Sequence, residues 1–337
     1  MHTVDGSEGG GQLLRTALSL AVVTDTPFRI EGIRGSRPTP GLRPQHLTAV
    51  ELVAALCDAE VEGAELGAET LTFEPGRDRT RSLSVQTGTA GSVTLLFDTV
   101  LPIAAAEGGA YEVTATGGTD VKWSPTVAYQ RHVKLPLLAQ AGLAADVTVA
   151  RTGFYPAGGG EATLRTEPSR LSRVTIEDRG ALERVEVFSK AAESLADAEV
   201  AERQAEAAES ALAADVPVSV RRCHYVDAAS PGSAVLLRAT YADTVAGFDA
   251  LGEPGKPAEA VAGDAIEAFR RFHGGRGAVD AHMADQVMVF LALAGGRVAI
   301  PRTTDHVRTN RDLLEGFGCD VAIEGTEDRP VLVASPL

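Results

Sequence analysis

The chain has 337 residues, a formal net charge of -15, and 44% hydrophobic and 23% charged residues. These fractions fit a globular protein of two or three domains with a sizeable core. They exclude a protein that coats long stretches of nucleic acid through a basic face, and no apolar run reaches the roughly 20 residues of a membrane span.

The N-terminus lacks the basic-then-apolar pattern of a secretory signal, so a cytoplasmic location is expected. Cys57, Cys223 and Cys319 lie far apart without C-x-x-C spacing, which indicates three small core residues and neither a zinc site nor a disulfide framework. The only lysines are Lys122, Lys134, Lys190 and Lys256. An acidic surface with so few lysines suits a salty cytoplasm, where screening removes self-repulsion.

The first stretch with chemical content is Asp5-Gly6-Ser7-Glu8-Gly9-Gly10-Gly11, ahead of a predicted helix over 12–23. Gly9, Gly10 and Gly11 let backbone N–H groups approach an anion at the positive end of that helix. Arg15 lies one turn inside and can face the same ligand, and Glu8 offers a carboxylate suited to Mg²⁺ or Mn²⁺. Neither Gly-Lys-Ser/Thr nor G-x-G-x-x-G spacing is present, so the run is neither a Walker loop nor a dinucleotide fingerprint. A tight turn is the plainer alternative. A short strand over 27–32 then leads into a loop carrying Arg34, Arg37 and Arg43, stiffened by Pro38, Pro40, Gly41 and Pro44, before a helix over 45–57. Arginine forks suit phosphate oxygens, and in so acidic a chain three together point to an anion rather than to pairing with surface acids.

The next segment repeats this layout. Gly88-Thr89-Ala90-Gly91-Ser92 opens a helix over 92–106, a strand follows at 110–118, and a second helix spans 125–141. The glycines after Phe154-Tyr155-Pro156 read as a stiff structural turn. From 181 to 271 the rhythm breaks into a strand (184–188), a long helix (191–213), two strands (216–226 and 234–241) and a helix (257–272). This region is expected to be a small domain inserted into a third segment whose opening strand lies near 173–176. That segment resumes with Ala281-His282-Met283-Ala284-Asp285-Gln286 at the head of a helix over 284–293, a strand at 296–301 and a helix at 305–317.

Each second helix carries a His near its start, namely His46, His132 and His306. At one shared interval each is followed by an acid-Val pair: Glu60-Val61, Asp146-Val147 and Asp320-Val321. That regularity indicates three copies of one unit. The expected fold is therefore α+β, with three repeated β/α units about a pseudo-threefold axis forming a large catalytic domain (1–180 and 272–337) and a small inserted α/β domain (181–271).

The last stretch is Thr303-Thr304-Asp305-His306-Val307-Arg308-Thr309-Asn310. Pro301 ends the strand, and Thr303, Thr304 or Asp305 can cap the following helix. His306 then sits at a strand-to-helix corner. A neutral imidazole there can attack a phosphoryl centre, with Asp305 or another carboxylate to orient it. A helix-start His that only hydrogen-bonds is the plain alternative.

Taken together, Glu8 to Gln12, Arg34 to His46, Gly88 to Ser92, Gly117-Gly118-Thr119-Asp120, Gly153 to Gly160, Ala284-Asp285-Gln286 and His306 with Thr309-Asn310 resemble the RNA 3′-terminal phosphate cyclase family over essentially the whole chain. The resemblance implies repeated units like the C-terminal domain of bacterial translation initiation factor three, plus the inserted domain. It implies ATP and a divalent metal as cofactors and RNA 3′-phosphate ends as partners. His306 would take AMP from ATP and pass it to the RNA 3′-phosphate, and the 2′-OH would then close a 2′,3′-cyclic phosphate. Position by position, Glu8 would bind metal and Gly9, Gly10, Gly11 and Arg15 the nucleotide phosphates. Arg34, Arg37, Arg43, Gln45 and His46 would line the RNA-end pocket, with Asp285 steering His306 or the nucleotide beside Gln286. Pro125 and Tyr129 fall where the family packs adenine, with Trp123 close by. Asp98 stands where a Gln is expected near the nucleotide, and His282 where a Tyr would stack on adenine. The resemblance leaves two rivals: a non-catalytic cyclase-like factor of ribosome assembly, which lacks the nucleophilic His, and a transferase of the enolpyruvyl class, which does not need one.

Overall fold

The structure, a computed structural model, describes all residues except Gly9 and Thr89, and gives only the backbone at positions 219–221. In chain order the elements are β1 (His2–Asp5), α1 (Gly11–Thr24), β2 (Phe28–Glu31), α2 (Pro44–Cys57), β3 (Glu60–Glu62), β4 (Thr70–Glu74), β5 (Ser82–Gln86), α3 (Val93–Glu107), β6 (Glu112–Gly117) and α4 (Val127–Tyr129). A π-helical turn (Gln130–Lys134) joins α4 to α5 (Leu135–Gln140), followed by β7 (Ala145–Arg151), β8 (Gly160–Thr166), β9 (Val174–Ile176) and β10 (Leu182–Ala192). A 3₁₀ turn (Glu193–Ala198) precedes α6 (Val200–Leu212), β11 (Val218–Val226), β12 (Ser233–Tyr241), β13 (Val245–Leu251) and α7 (Ala258–His273). The chain ends with α8 (Met283–Gln286), α9 (Met288–Ala294), β14 (Gly296–Ala299), α10 (Asp305–Gly316), β15 (Val321–Thr326) and β16 (Arg329–Ala334). No helix among the described residues is long and apolar enough to cross a membrane.

The architecture is mixed α+β with four small mixed sheets. Three of them, β1-β2-β4-β3, β5-β6-β8-β7 and β9-β14-β16-β15, share one order and one pattern. In each, the first two strands are parallel and the other two pairings antiparallel. Parallel neighbours need a crossover, and α1, α3 and α8–α9 lie in those crossovers. Glu60-Val61 and Asp146-Val147 fall inside β3 and β7, and Asp320-Val321 marks the entry to β15. Helix α3 is apolar on almost every face and packs against α1, α2 and α9 as well as its own sheet, so it is buried on all sides.

The fourth sheet, β11-β10-β12-β13, is covered by α6 and α7 and has its own core, including Val187, Leu237, Phe248 and Phe269. In sequence it lies between β9 and β14, which pair with each other. Two sequence expectations are corrected here. The long helix expected over 191–213 begins only at Val200: Ala191 and Ala192 continue β10, paired with Tyr225 and Val226, and Glu199 breaks the chain in a left-handed conformation (φ 50°). Ladder pairing overrides the helix preference of alanine there. The second correction is a strand absent from the sequence reading, β13, whose Gly247 and Asp249 are poor strand formers held by pairing with β12.

Candidate active site

A cleft of about 1240 Å³ opens where α1, α2, α8 and α10 converge with the tip of β13. Helix α1 starts at its rim. Its N-cap, Gly10, supplies no side-chain cap, so the first N–H groups of the helix remain available to an anion. A Cβ on Gly11 would come within 2.2 Å of His46 Nε2 and 3.0 Å of Arg15 Nη1. Glycine is therefore what lets the imidazole and the guanidinium lie over the helix start. Burial lowers the Arg15 pKa to about 10, against the opposing pull of Asp98 and Asp285, and the group stays charged. Burial, then Arg15, Arg34 and Arg43, press the His46 pKa down to about 3. His46 is thus neutral, and its Nδ1 accepts the Arg43 backbone N–H at 3.2 Å.

The arginine loop divides its work. Arg34, in a left-handed conformation (φ 56°), donates from Nη1 to the Thr39 carbonyl at 2.7 Å and so also ties the loop. Arg37 is exposed and reaches the cleft; Arg43 is exposed and does not line it. Gln45 does line it, and its buried Nε2 has no hydrogen-bond partner. An unpaired buried amide donor costs about 1–3 kcal/mol, which a ligand acceptor would recover.

On the facing wall, Thr304 caps α10 by accepting the Val307 N–H at 3.2 Å. That cap leaves His306 in the first turn, exposed and directed into the cleft. Asn310, one turn on, donates to the Asp285 backbone carbonyl at 3.0 Å and locks α10 to α8. The Asp285 carboxyl is raised by burial, while Gln12, His306, His282 and Lys134 pull it back. His306, His46 and Asp285 therefore share one cleft with Gly10, Gly11, Arg15, Asp98, Pro125, His282 and Gln286.

Besides Arg43, two residues do not join them. Glu8 is exposed on the loop before α1 and is not part of the cleft wall. Tyr129, which the resemblance put against adenine, is fully buried, donates its hydroxyl to Asp280 Oδ1 at 2.7 Å, and touches the site only by packing edge-on against His282. Gly9 lies outside the described residues, as does Thr89 of the second glycine stretch. Among the described residues no cluster of three or more His, Cys, Asp or Glu forms a metal-binding group.

Sequence reading missed Asp249, Lys134 and Arg302, all of which line the cleft. Lys134 Nζ donates to Asp98 Oδ1 at 2.7 Å and Gln286 Oε1 at 3.0 Å, while Gln130 donates to the same Asp98 oxygen at 3.1 Å. The π turn presents Gln130 and Lys134 to this wall, an irregularity common at functional sites. Its i→i+5 pattern has no signature in the sequence. Asp249 accepts from His282 at 3.3 Å and from the Thr126 N–H at 2.8 Å. Burial opposes charge on His282, but the hydrogen bond and charge of Asp249, with Asp280 and Asp285, outweigh it and lift its pKa to about 9. Trp123, the single tryptophan, stands at the rim with 93% of its area exposed and φ of 63°.

The remaining histidine of the three equally spaced ones goes elsewhere. His132 lines a second cleft, of about 520 Å³, together with Arg131, Arg151, Phe188, Lys190 and His224. His46 and His306 alone of the three share the first cleft.

Residues 6–323 match the family described as RNA 3′-terminal phosphate cyclase. The chain is 47% identical over 346 aligned positions to a protein of that name from Halobacterium salinarum, covering 99% of this chain and 100% of that one. It is 42% identical over 338 positions to the protein so named from Thermococcus onnurineus, covering 98% and 97%. A bacterial relative of the same name, from Methylococcus capsulatus, is 42% identical over 329 positions, covering 94% and 90%. By the extent and identity of these matches, the chain belongs to the RNA 3′-terminal phosphate cyclase family.

Proposed function

We propose that the protein is an RNA 3′-terminal phosphate cyclase that works through a histidine-AMP intermediate on His306. The observation that carries this reading is the convergence, on one cleft, of the exposed His306 ring, the uncapped start of α1, Arg15, Arg37 and the unpaired Gln45 amide. This collection fits a phosphate-rich ligand beside a nucleophile. A ring nitrogen of His306 attacks the α-phosphorus of ATP. A P–N bond forms, the α–β bridging P–O bond breaks, and pyrophosphate leaves. An oxygen of the RNA 3′-phosphate then displaces the imidazole, giving an RNA-adenylate. The 2′-hydroxyl attacks the activated 3′-phosphorus, losing its proton and expelling AMP as the cyclic phosphate closes. The hydroxyl requirement makes the substrate RNA.

In this reading Arg15 and the α1 N–H groups hold the triphosphate, and Arg34, Arg37, Gln45 and His46 face the RNA end. His282 and Pro125 flank the base, and Asp98, held by Lys134, replaces a neutral amide there. Glu8 would hold a divalent metal through its carboxylate. That ion would supply charge neutralisation on the phosphates. The identical order and pattern of three sheets, with α3 packed on both α1 and α9, supports three repeats about a pseudo-threefold axis. The separate core of the fourth sheet supports an inserted domain over 181–271. The lysine-poor acidic surface supports work in a salty cytoplasm. Incubation of the intact protein with ATP is expected to add the mass of one AMP; no mass shift would overturn the assignment.

A further inference from the structure

The two clefts stand back to back. Ser124 and Pro125 line the first, while Thr126, Val127 and Ala128 line the second. The same holds for the strand pair behind them. Ala234, Val235 and Leu236 line the second cleft, and their ladder partners Leu251, Ala250 and Asp249 line the first. The separation across that shared wall is on the order of one strand spacing, ~5 Å.

The second cleft is basic in an acidic protein. Arg131, Arg151 and Lys190 line it beside the rings of His132 and His224, against a single carboxylate, Asp227. Lys190 is committed to Asp120 at 2.6 Å, while Arg151 donates from Nε to the Gly159 carbonyl at 2.5 Å and reaches Glu161 only at 4.0 Å, leaving part of its fork open. Arg131 and Arg222 are exposed, and no described carboxylate pairs with either. The aromatic content is ordered: His132 stacks on Phe188 with centroids 4.3 Å apart and planes at 17°, and the Arg222 guanidinium lies 5.6 Å from the Phe188 centroid. Burial, then Arg131, Arg238 and Arg222, lower the His132 pKa to about 4. The ring is therefore neutral at pH 7, a stacking surface and not a counter-ion. Unpaired guanidinium groups beside a flat, neutral ring pair are the elements of a single-stranded nucleic-acid groove.

We propose that this second cleft holds the RNA chain a few nucleotides behind its 3′ end, with Arg131, Arg151 and Arg222 meeting backbone phosphates and the His132–Phe188 pair stacking on a base. The placement rests on the cyclase reading, since it takes the adjoining cleft as the seat of the 3′ end. A free mononucleotide is the competing occupant, but Arg131 and Arg151 in the cleft, with Arg222 beside Phe188, exceed what one phosphate needs.

The test uses RNAs ending in 3′-phosphate, two and ten nucleotides long, with the full-length protein and an Arg131→Ala/Arg222→Ala variant. Both positions are exposed, so the fold should persist, as normal AMP attachment would confirm. The wild type is expected to bind the ten-mer, by fluorescence anisotropy, about tenfold more tightly than the dimer, and the variant is expected to lose that advantage. The log–log salt slope for the ten-mer should fall by about 1.4 in the variant, for two phosphate contacts on a single strand. Equal length dependence in wild type and variant would overturn the proposal. So would a second ATP equivalent bound by the wild type and lost in the variant, which would make the cleft a mononucleotide site. Because anisotropy needs no chemistry, the absence of any AMP attachment would defeat the cyclase reading separately.

Discussion

His282 Nε2 and Asp249 Oδ1 face each other at 3.3 Å, joining the entrance of α8 to the last strand of the fourth sheet. The pair sets a pH window. The His282 pKa is raised to about 9 from an ordinary 6.5, so its contribution to stability is complete below about 6.5 and is lost as pH rises through 9. The Asp249 carboxyl is held below its ordinary 3.8, burial being overcome by His282 and the Thr126 hydrogen bonds, so its contribution is lost only in acid. Asp249→Asn should bring the His282 titration, followed by imidazole NMR, down toward its usual range. The Tm deficit of that variant should shrink above pH 9. A His282 titration that does not move would contradict the coupling.

His306→Ala or His306→Asn should abolish AMP attachment and leave Tm within a few degrees of wild type, because the side chain is exposed at the first turn of α10. His132→Ala should retain attachment, since His132 faces the other cleft. Peptide mapping that placed AMP on His46 or His132 would refute the assignment.

Gly11→Ala separates geometry from stability. A helix-start alanine is favourable by roughly 0.5–1 kcal/mol in backbone entropy, but its methyl group would displace His46 and Arg15. Adenylylation should fall by tenfold or more with Tm near that of wild type. Full activity would mean that those two side chains need not lie over α1.

Arg37→Ala should weaken use of 3′-phosphate RNA more than it weakens AMP attachment. Charge-assisted contacts to a terminal phosphate contribute about 1.5–3 kcal/mol each, so the preference over 3′-hydroxyl ends should drop by about tenfold or more. At a net charge of -15 the attraction is local, and activity should persist in molar salt. Equal binding of 3′-hydroxyl and 3′-phosphate ends by the wild type would show that the pocket is wrongly placed.

Glu8→Ala should raise the metal concentration needed for half-maximal adenylylation, measured by titration with Mg²⁺ or Mn²⁺. An unchanged midpoint would remove Glu8 from the metal's coordination.

The legible part of the site was carried in short runs whose chemistry is local. The glycines before α1, the arginines of the 34–43 loop and the Thr-Asp-His corner each announce themselves within a few residues. What was not legible depends on long-range pairing. Asp249 sits in a strand whose Gly and Asp argue against a strand, and only β12 holds it there. Nothing in the sequence marks Lys134 as a site residue; it is buried because Asp98 and Gln286 satisfy it. The arginines of the 34–43 loop are close in sequence, whereas Arg131 and Arg151, with Arg222 beside Phe188, are brought together only by the fold. Likewise the resemblance puts Tyr129 beside the nucleotide by position, whereas its hydrogen bond to Asp280 holds it in the core.

Arg179 donates to the carbonyls of Phe272, His273, Gly275 and Gly277, and so clasps the point where the chain leaves for the fourth sheet to the point where it returns. The parallel pairs of the other two sheets bring together His2 with Phe28 and Ser82 with Glu112, whereas the third must bring Val174 to Gly296. Closing that longer loop from an open coil costs roughly 1 kcal/mol more. If the fourth sheet collapses first on its own core, its two ends arrive already neighbours, and that penalty largely disappears. On that route the excursion is complete before the last sheet closes, on a connection already shortened for it.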